Sequence, residues 1–581
     1  MHLTPEEKAI GKENFNAAIG SKLVRRDFLE KGTKQSIASG NGLGPHYYGY
    51  DKSVEKPVRV AVLGTGDEGS VLIGAINPNF IQVTAIADIR PYNVHRAFHG
   101  DHYSDTALKV RCGLMSKYGW KTEDEARKQV KVYGDYRELL KNEPDIEAVI
   151  IALPLHLHAP AAVAAMKAGK HVLTEKLMGH SVHECKEMAR ISKETKLHLA
   201  TGHQRHYNIL YNNAVNMISK GMLGDLHYIR AQWHRGNMPG TDSWQQPLPK
   251  KSKPGDDQAE ALVKKLASWK KKLETEKKKG SKSVAEWEKR VAQVEAQISD
   301  EIVKAEAFGY QTKQYKDADG KVIYDRPAIE ELIRWRLWDR TGAGLMAELG
   351  SHQLDAASIF ISAMHGGKKQ HPLNVSATSS RPIFPQDRDV DDHVYCLFEF
   401  PAPGYDPKDP IASRKRISVA YASINGNGFG GYGETVFGTE GTLVLEKETE
   451  ALLYKTSATD SKINVVENEK DPGPTIELLD ESKKPAVAIA ERDAALGKLA
   501  VHDSPRGYTE QLEHWAWCIR NPAPENLPHC HPKVALGDAV IALTSNIAAR
   551  KGQRIEFKKE WFDPDSDETP ENVKPDVSRY A

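Results

Sequence analysis

The stretch VRVAVLGTGDEGSV, residues 58–71, decides the fold of this chain. The run VRVAVL is typical of a buried strand, and Gly64, Gly66 and Gly69 follow it in the G-x-G-x-x-G spacing. In such a turn the first glycine permits a tight bend and the second lets the backbone approach a pyrophosphate. The third lets helix and strand pack closely, while the helix N-terminus faces the phosphate charge. The stretch therefore predicts a βαβ unit that binds a dinucleotide.

The acid that such a unit needs lies at the end of the next strand. VTAIAD ends at Asp88, where a carboxylate accepts hydrogen bonds from the ribose hydroxyls. A carboxylate at this place also repels a 2′-phosphate, which favours NAD as the cofactor. Arg90 lies close by in sequence and could pair with a 2′-phosphate, which keeps NADP as the alternative.

The chain around this stretch divides into two predicted domains. Val/Ile/Ala-rich runs alternate with helical segments over residues 58–203, the pattern of a doubly wound parallel sheet in an α/β Rossmann domain. Residues 204–560 instead contain runs such as DHVYCLFEF and RISVAYAS without intervening helices. They predict a C-terminal α+β domain for substrate binding and oligomerisation, with an open, largely antiparallel sheet.

An insertion over residues 245–335 interrupts the second domain. Within it, residues 257–302 place apolar side chains at heptad-like spacing on two segments joined by the basic, glycine-containing turn KKKGSKS. This pattern predicts an antiparallel helical hairpin. It could project from the surface, or it could form an oligomer contact or a wall over the active site.

Composition excludes several classes of function. The 581 residues have a formal net charge of +1, which gives no reason to expect a nucleic-acid partner. No apolar run approaches the ~18 residues of a membrane span, so we expect a soluble protein without a membrane partner. The five cysteines are scattered and include no CxxC pair, which favours a reduced compartment.

The two ends of the chain are predicted to lie outside the domains. Residues 1–57 read as an N-terminal arm and residues 561–581 as a polar tail. Within the arm, KLVRRDFLEKG at residues 22–32 resembles a twin-arginine export signal, but a polar, glycine-rich continuation replaces the apolar stretch. We therefore expect a cytoplasmic protein, with periplasmic export through a degenerate signal as the alternative.

Four motifs in order resemble the Gfo/Idh/MocA family of oxidoreductases (glucose–fructose oxidoreductase and inositol dehydrogenase). They are the glycine turn with Asp88, ALPLHLHAPAAVAAMKAGKHVLTEK at 152–176, GHQRHYN at 202–208 and GAGLMAELGSHQLD at 342–355. The resemblance implies a Rossmann domain followed by an open-faced sheet domain. It also implies a sugar, polyol or related carbohydrate as substrate, and a homo-oligomer, either a dimer or a tetramer.

The resemblance also suggests the catalytic residues. The family's Glu-Lys-Pro motif matches Glu175 and Lys176, with Leu177 in place of the proline, and the family lysine polarises the substrate oxygen. The family's Asp-x-x-x-His pair matches Glu348 and His352. In this interpretation His352 accepts the hydroxyl proton while Glu348 orients the histidine or contacts the sugar. Read as a helix, the same face continues to Asp355, a candidate ligand of a substrate hydroxyl.

Further site residues are assigned by their place in these motifs. Substrate-binding candidates are Asp355, Arg205, Tyr207, Trp233, His234 and Arg336. Cofactor-binding candidates are Gly64, Thr65, Gly66, Asp67, Glu68, Gly69, Asp88, Arg90, Leu153, Pro154, His158, Glu175, Lys176 and Gln204. In PHCHP (528–532), the adjacent residues His529, Cys530 and His531 diverge in direction and have no second ligand pair at zinc-like spacing nearby, so no metal site is expected.

These assignments predict an NAD-dependent oxidoreductase that transfers hydride between a carbohydrate hydroxyl carbon and nicotinamide. A redox-neutral enzyme with tightly bound NAD, which cleaves glycosides, eliminates or epimerises, would use the same residues. A non-enzymatic sensor or scaffold that binds the cofactor is the third alternative.

Overall fold

The computed structural model describes residues 3–21, 44–249, 257–384, 386–467, 473–479 and 506–572, with only the backbone of 257–259. The twin-arginine-like segment of residues 22–32 lies outside these ranges. Within the described ranges, no helix is both long and apolar enough to cross a membrane.

The N-terminal arm contains two helices that its sequence did not lead us to expect, α1 (Pro5–Gly20) and α2 (Gly44–Tyr48). A capping box between Thr4 and Glu7 starts α1. The side chain of Asn14 donates to the carbonyl oxygen of Leu453, and it accepts from the backbone nitrogen of Ile463. Helix α1 is weakly amphipathic, which explains why periodicity did not predict it, whereas its cap was readable in the sequence.

Residues 58–201 form a six-stranded, fully parallel sheet in the order β3-β2-β1-β4-β5-β6. This is the strand order of a dinucleotide-binding Rossmann domain. Its strands are β1 (Val58–Leu63), β2 (Ile81–Ala87), β3 (Lys131–Tyr133), β4 (Ala148–Ile151), β5 (His171–Thr174) and β6 (Leu199–Thr201). Its helices are α3 (Asp67–Ala75), α4 (Pro91–His99), α5 (Asp105–Val110), α6 (Gly113–Tyr118), α7 (Glu123–Gln129), α8 (Tyr136–Asn142), α9 (His158–Lys167) and α10 (Val182–Thr195).

The insertion follows α11 (Ile209–Ser219) and β7 (Leu226–His234) and contains the predicted hairpin. Its elements are α12 (Asp257–Lys278), α13 (Val284–Ser299), β8 (Lys313–Lys316), β9 (Val322–Arg326) and α14 (Ala328–Ile333), and α15 (Asp339–Gly342) follows it. Helix α13 packs against α4 of the Rossmann domain. The hairpin therefore lies against the first domain instead of projecting from the second.

An eight-stranded sheet forms the centre of the second domain, in the order β15-β14-β13-β7-β12-β11-β10-β18. Its pairings are antiparallel except for β7 with β12. The remaining strands are β10 (Asn374–Ser380), β11 (His393–Pro401), β12 (Arg416–Ile424), β13 (Tyr432–Gly438), β14 (Thr442–Glu446), β15 (Glu450–Tyr454), β16 (Ile463–Glu467), β17 (Pro474–Leu478) and β18 (Ile555–Glu556). Strands β16 and β17 form a separate hairpin.

Helices cover one face of this sheet and leave the other face open. The covering helices are α16 (Ser351–Ala363), which follows a π-helical turn at Met346–Gly350, and α18 (Pro532–Lys551). Helix α17 (Tyr508–Arg520) instead packs on β1 and β2 of the Rossmann domain. Helix α16 packs on β7 and α18 packs on β10. On the open face Tyr395 and Leu397 are 43% and 50% exposed.

Residues 561–572 of the polar tail lie along α10. Lys186 Nζ donates to the carbonyl oxygens of Glu560, Ser566 and Glu568. The carboxylate of Glu571 accepts from the backbone nitrogen of Val182 near the start of the same helix. This part of the tail therefore belongs to the surface of the Rossmann domain.

Candidate active site

A cleft of about 1120 Å³ lies between the two domains. The Rossmann domain contributes the loops after β1, β2, β4 and β5, the edge at which ligands bind in an open α/β sheet. The second domain contributes the end of β7, the π-helical turn and the first turn of α16. Fifteen of the predicted residues line the cleft: Gly64, Gly66, Asp67, Glu68, Asp88, Arg90, Leu153, Pro154, His158, Glu175, Lys176, Trp233, Arg336, Glu348 and His352.

The glycine turn has the shape that a dinucleotide phosphate requires. Gly64 has φ +85°, and a Cβ there would meet the carbonyl oxygen of Ala152 at 2.5 Å. A Cβ at Gly69 would meet the carbonyl oxygen of Gly64 at 2.1 Å, so Gly69 serves helix–strand packing. A Cβ at Gly66 would have its nearest neighbour 3.6 Å away, which leaves room beside the N-terminus of α3. These observations fit a bound pyrophosphate.

Asp88 lies beside this turn with an organised carboxylate. Its Oδ2 accepts from the backbone nitrogen of Thr65 at 2.8 Å, and its Oδ1 accepts from the backbone nitrogen of Arg90 at 2.9 Å. The amide of Asn93 donates to both oxygens. Thr65 therefore acts on the site through Asp88 and does not itself line the cleft. The position of Asp88 fits recognition of ribose hydroxyls.

Lys176 follows β5 and reaches across to the second domain. Its Nζ donates to the backbone carbonyl of Glu348 at 2.6 Å, which uses one of the three ammonium donors. Leu177, the residue in place of the family's proline, is buried, and the peptide bond that precedes it is cis. The ring of His158 lies within 2.8 Å of the carbonyl oxygens of Leu153 and Leu177 and holds this turn against the preceding loop.

Burial raises the pKa of two glutamates beside Lys176. Burial and the nearby carboxylate of Glu68 raise the pKa of Glu175 to about 8. Burial also raises the pKa of Glu68, against the attraction of Lys176. Glu175 packs against Gly202, where a Cβ would meet its Oε1 at 2.5 Å. The cleft therefore contains a carboxyl group that holds a proton near neutral pH.

His352 lines the same cleft in its neutral form. Burial and the positive charge of Lys176 lower the pKa of His352 well below its ordinary value of 6.5. Its ring centroid lies 5.4 Å from that of Trp233, which stacks on Tyr432 at 4.3 Å. A neutral imidazole can accept a proton, and the adjacent aromatic rings suit a carbohydrate face.

Glu348 has a different partner from the one that the helical spacing suggested. Its Oε1 accepts from Arg336 Nε at 2.6 Å, not from His352. Burial alone would raise the pKa of Glu348, but the charges of Arg336 and Lys176 hold it at about 2. The π-helical turn at Met346–Gly350 interrupts the regular spacing, so Glu348, His352 and Asp355 do not share one α-helical face.

Seven predicted residues do not line the cleft: Thr65, Gly69, Gln204, Arg205, Tyr207, His234 and Asp355. His234 follows Trp233 in β7, and strand alternation turns its side chain to the other face of the sheet. Asp355 is 1% exposed, and its Oδ1 lies 2.8 Å from His206 Nε2. The hydroxyl of Tyr207 lies 2.8 Å from His514 Nδ1 in the interior.

Arg205 and Gln204 support the site from behind. The guanidinium of Arg205 is fully buried between Glu434 at 2.8 Å and Glu448 at 2.9 Å. These two carboxylates supply the anionic partners that a buried cation requires. Arg205 also donates to the backbone carbonyl of His352 at 2.7 Å. Gln204 is 1% exposed and donates weakly to Glu448 at 3.4 Å. Arg205 therefore contacts the helix that contains His352, whereas Gln204 contacts only its ion-pair partner Glu448.

A buried charge cluster lies behind His352. His203, Cys530 and Asp538 offer ligand atoms close enough together to hold a metal ion, a grouping that the sequence motifs did not indicate. Lys369 Nζ, however, donates to Asp538 at 2.5 Å and already supplies a cation there. Burial lowers the pKa of His203, but Asp355 and Asp538 outweigh it and raise the pKa to about 9. The cluster is therefore balanced by its own charges.

Several cleft residues were not predicted from the sequence. Arg235 lies over the ring of Trp233 at 5.7 Å, and Tyr508 reaches the cleft from the start of α17. Phe308 and Tyr310 of the insertion line the end of the cleft near Asp88. Arg235 directly follows β7, and the alternation of the strand, continued by one residue, could have placed it on the same side as Trp233. The other three are distant in sequence and carry no local motif.

Comparison with known proteins identifies the Rossmann domain. Residues 58–203 match the Gfo/Idh/MocA family, described as an oxidoreductase family with an NAD-binding Rossmann fold. A glycosyl hydrolase family 109 protein from Solibacter usitatus is 28% identical over 210 residues, which cover 35% of this chain and 44% of that protein. The 1-carboxy-3-chloro-3,4-dihydroxycyclohexa-1,5-diene dehydrogenase from Comamonas testosteroni is 35% identical over 100 residues, 17% of this chain and 25% of that protein. The matched segment thus spans less than half the length of these relatives.

The overall fold has a solved counterpart. An inositol dehydrogenase homolog complexed with NAD+ from Azotobacter vinelandii superposes with a TM-score of 0.51 at 14% identity, covering 87% of this chain and 98% of that chain. The likeness extends over both domains and shows a shared fold. Together with the glycine turn and Asp88, the family match identifies residues 58–203 as an NAD-binding Rossmann domain of the Gfo/Idh/MocA oxidoreductase family.

Proposed function

We propose that this protein oxidises a hydroxyl-bearing carbon of a sugar or polyol with NAD+, which becomes NADH, or reduces the corresponding carbonyl with NADH. The observation that supports this most is that Lys176 of the first domain and a neutral His352 of the second line one cleft with Asp88. Bound NAD would supply the hydride acceptor, held by the glycine turn and the Asp88 carboxylate.

The residues of the cleft divide the remaining work between them. Lys176 donates a hydrogen bond to the substrate oxygen and stabilises negative charge on it. His352 accepts the hydroxyl proton, because burial and Lys176 keep its imidazole neutral. The ion pair of Arg336 with Glu348 holds the π-helical turn, and with it the carbonyl that anchors Lys176. Trp233 packs against the substrate's apolar face.

The first experiment tests activity with the purified full chain. NAD is added with each member of a panel of sugars and polyols, and NADH is followed by its near-ultraviolet absorbance. We expect NADH to form with at least one carbohydrate, and the His352→Asn variant to lose that activity. A chain that binds NAD but oxidises no carbohydrate, and releases no product from a glycoside, would contradict an enzymatic function on carbohydrates.

A redox-neutral reaction on a glycoside is the second candidate. The name of the Solibacter usitatus relative suggests it, and the cleft offers a suitable acid, because the pKa of Glu175 is raised to about 8 by burial and by Glu68. Elimination next to an oxidised carbon requires a base and an acid together. Product release without added NAD and without net NADH would favour this reaction over simple dehydrogenation.

A sensor or scaffold without enzymatic activity remains the third alternative. In that case Lys176→Ala and His352→Ala would leave the biological role intact while NAD still bound. Loss of the role in either variant, with NAD affinity unchanged, would exclude it.

We also propose a homo-oligomer formed through the open face of the large sheet. Tyr395 and Leu397 on β11 are exposed there, beside the small residues Ala420 and Ala422 of β12. Burial of such a face between two copies is the usual use of an exposed apolar patch. Sedimentation of the wild-type chain against a Leu397→Lys variant tests this, and a monomeric wild-type chain would contradict it.

For localisation we propose the cytoplasm, with export as the alternative. The five cysteines are free thiols in the described structure, which suits a reduced compartment. Fractionation of the producing cells would decide between the two, since a periplasmic chain would overturn the proposal.

A further inference from the structure

The inserted hairpin brings a buried carboxylate to the ribose end of the cleft. Asp300 follows α13 and is fully buried. Its Oδ2 accepts from Arg90 Nε at 2.8 Å, and its Oδ1 accepts from the backbone nitrogen of Tyr92 at 3.0 Å. Arg90 in turn lines the cleft two residues after Asp88. Asp300 of the insertion thus binds Arg90, the side chain that the sequence suggested as a possible ligand of a 2′-phosphate.

Other buried polar contacts fix the hairpin at this place. The side chain of Gln293 accepts from the backbone nitrogen of His102 at 2.5 Å and donates to Asp101 at 2.8 Å. Both oxygens of Asp300 are engaged by α4 and by Arg90. Gln293 lies in α13, and Asp300 lies in the turn that follows this helix. The Asp300 carboxylate therefore cannot move without breaking several buried hydrogen bonds.

The charge of Arg90 determines what this end of the cleft can bind. A free guanidinium binds phosphate with two parallel hydrogen bonds, and it would compensate for the repulsion between Asp88 and a 2′-phosphate. In this structure Asp300 compensates that charge and uses the Nε donor. Nη2 of Arg90 has no hydrogen-bond partner among the described residues, so the guanidinium retains unused donors.

We propose that Asp300 of the inserted hairpin is a specificity-determining residue, which makes the cofactor site select NAD over NADP by pairing with Arg90. The insertion thus contributes to dinucleotide recognition from outside the Rossmann domain. The inference rests on dinucleotide binding in this cleft, as the proposed function does, but not on any particular carbohydrate.

The test measures the dissociation constants of NAD+ and NADP+ for the full chain by calorimetry. Asp300→Asn keeps the shape of the side chain and removes its charge. We expect it to improve NADP+ affinity relative to NAD+ on the order of tenfold, as a new charge-assisted phosphate contact would. The gain should shrink at high ionic strength. The neighbouring Glu301→Gln is the matched control and should leave the ratio unchanged.

A double variant keeps the test decisive if Asp300→Asn unfolds. Arg90→Met/Asp300→Asn removes both charged partners, a change that is tolerated better than the loss of one. We expect its NAD+/NADP+ ratio to stay close to that of the wild type, because in the wild type Asp300 already compensates the charge of Arg90. An unchanged ratio in folded Asp300→Asn, or a loss of NADP+ affinity of about tenfold in the double variant, would overturn the proposal. A wild-type chain that binds neither dinucleotide would instead refute the proposed function.

Discussion

The ammonium of Lys176 and the backbone carbonyl of Glu348 form a hydrogen bond of 2.6 Å between the two domains. The bond joins the end of a Rossmann strand to the π-helical turn that precedes His352. It holds a positive charge beside the imidazole, and that charge helps to keep His352 neutral. This hydrogen bond therefore positions Lys176, the proposed electrophilic group, and helps to keep His352, the proposed base, neutral.

Replacement of Lys176 by methionine should lower turnover while NAD remains bound. A positioned acid–base group typically contributes about 10²–10⁴-fold to the rate, and methionine keeps most of the length of the stem without the charge. Steady-state kinetics and NAD titration of the same preparation give both values. Lys167→Met, at an exposed position that ends α9, is the control and should behave like the wild type. Equal turnover in the two variants would refute a catalytic role for Lys176.

The same substitution should change the titration of His352. Burial comes first and Lys176 second among the causes that lower the pKa of His352. Removal of the Lys176 charge should therefore move that pKa upward, toward the ordinary 6.5. NMR of histidine-labelled protein measures it directly, with the His352→Asn spectrum identifying the resonance. In any Lys176 variant that retains activity, the acidic limb of the pH–rate profile should move to higher pH. A shift of the His352 pKa to a lower value would contradict the account.

Arg336 and Glu348 should be energetically coupled. Their side chains are 21% and 17% exposed, and the distance between Nε and Oε1 is 2.6 Å. For such a half-buried pair, a double-mutant cycle with Arg336→Met and Glu348→Gln should give a coupling of about 1–3 kcal/mol in urea unfolding. The pair of Lys193 with Asp565, 69% and 60% exposed, should give a clearly smaller coupling, because solvent screens it. Equal coupling in the two cycles would show that the cleft pair has no structural importance.

Arg205 should affect stability more than substrate affinity. Its guanidinium lies between two buried glutamates, so Arg205→Met would leave their charges without a partner and cost about 3–5 kcal/mol. Arg506 also binds Glu448 but is 45% exposed, so Arg506→Met should cost much less. Urea unfolding measures both variants. A stable Arg205→Met protein with a raised KM would restore the substrate-binding role that the sequence suggested.

The Rossmann domain was predictable because its determinants are local in sequence. The glycine turn, Asp88 and the β5 lysine are each recognisable within a few residues, and the strand order of the first sheet agrees with them. The heptad-like spacing likewise predicted the hairpin α12–α13. Each of these features depends on neighbouring residues, which a single sequence displays directly.

The composition of the cleft was harder to predict because it depends on long-range packing. Helical spacing placed Glu348, His352 and Asp355 on one face, but a π-helical turn changed the register between them. Arg205 lies in a family motif, yet its partners Glu434 and Glu448 come from β13 and the turn after β14. The position of Asp300 beside Arg90 likewise results from a contact between distant segments, which spacing along the chain does not indicate.

The most direct test of the central claim is a crystal structure of the full chain with NAD and a carbohydrate that it oxidises. The account predicts that one substrate oxygen lies within about 3.2 Å of both Lys176 Nζ and a ring nitrogen of His352. A carbohydrate whose reacting oxygen contacts neither group, or a dinucleotide bound away from Gly66 and Asp88, would contradict it.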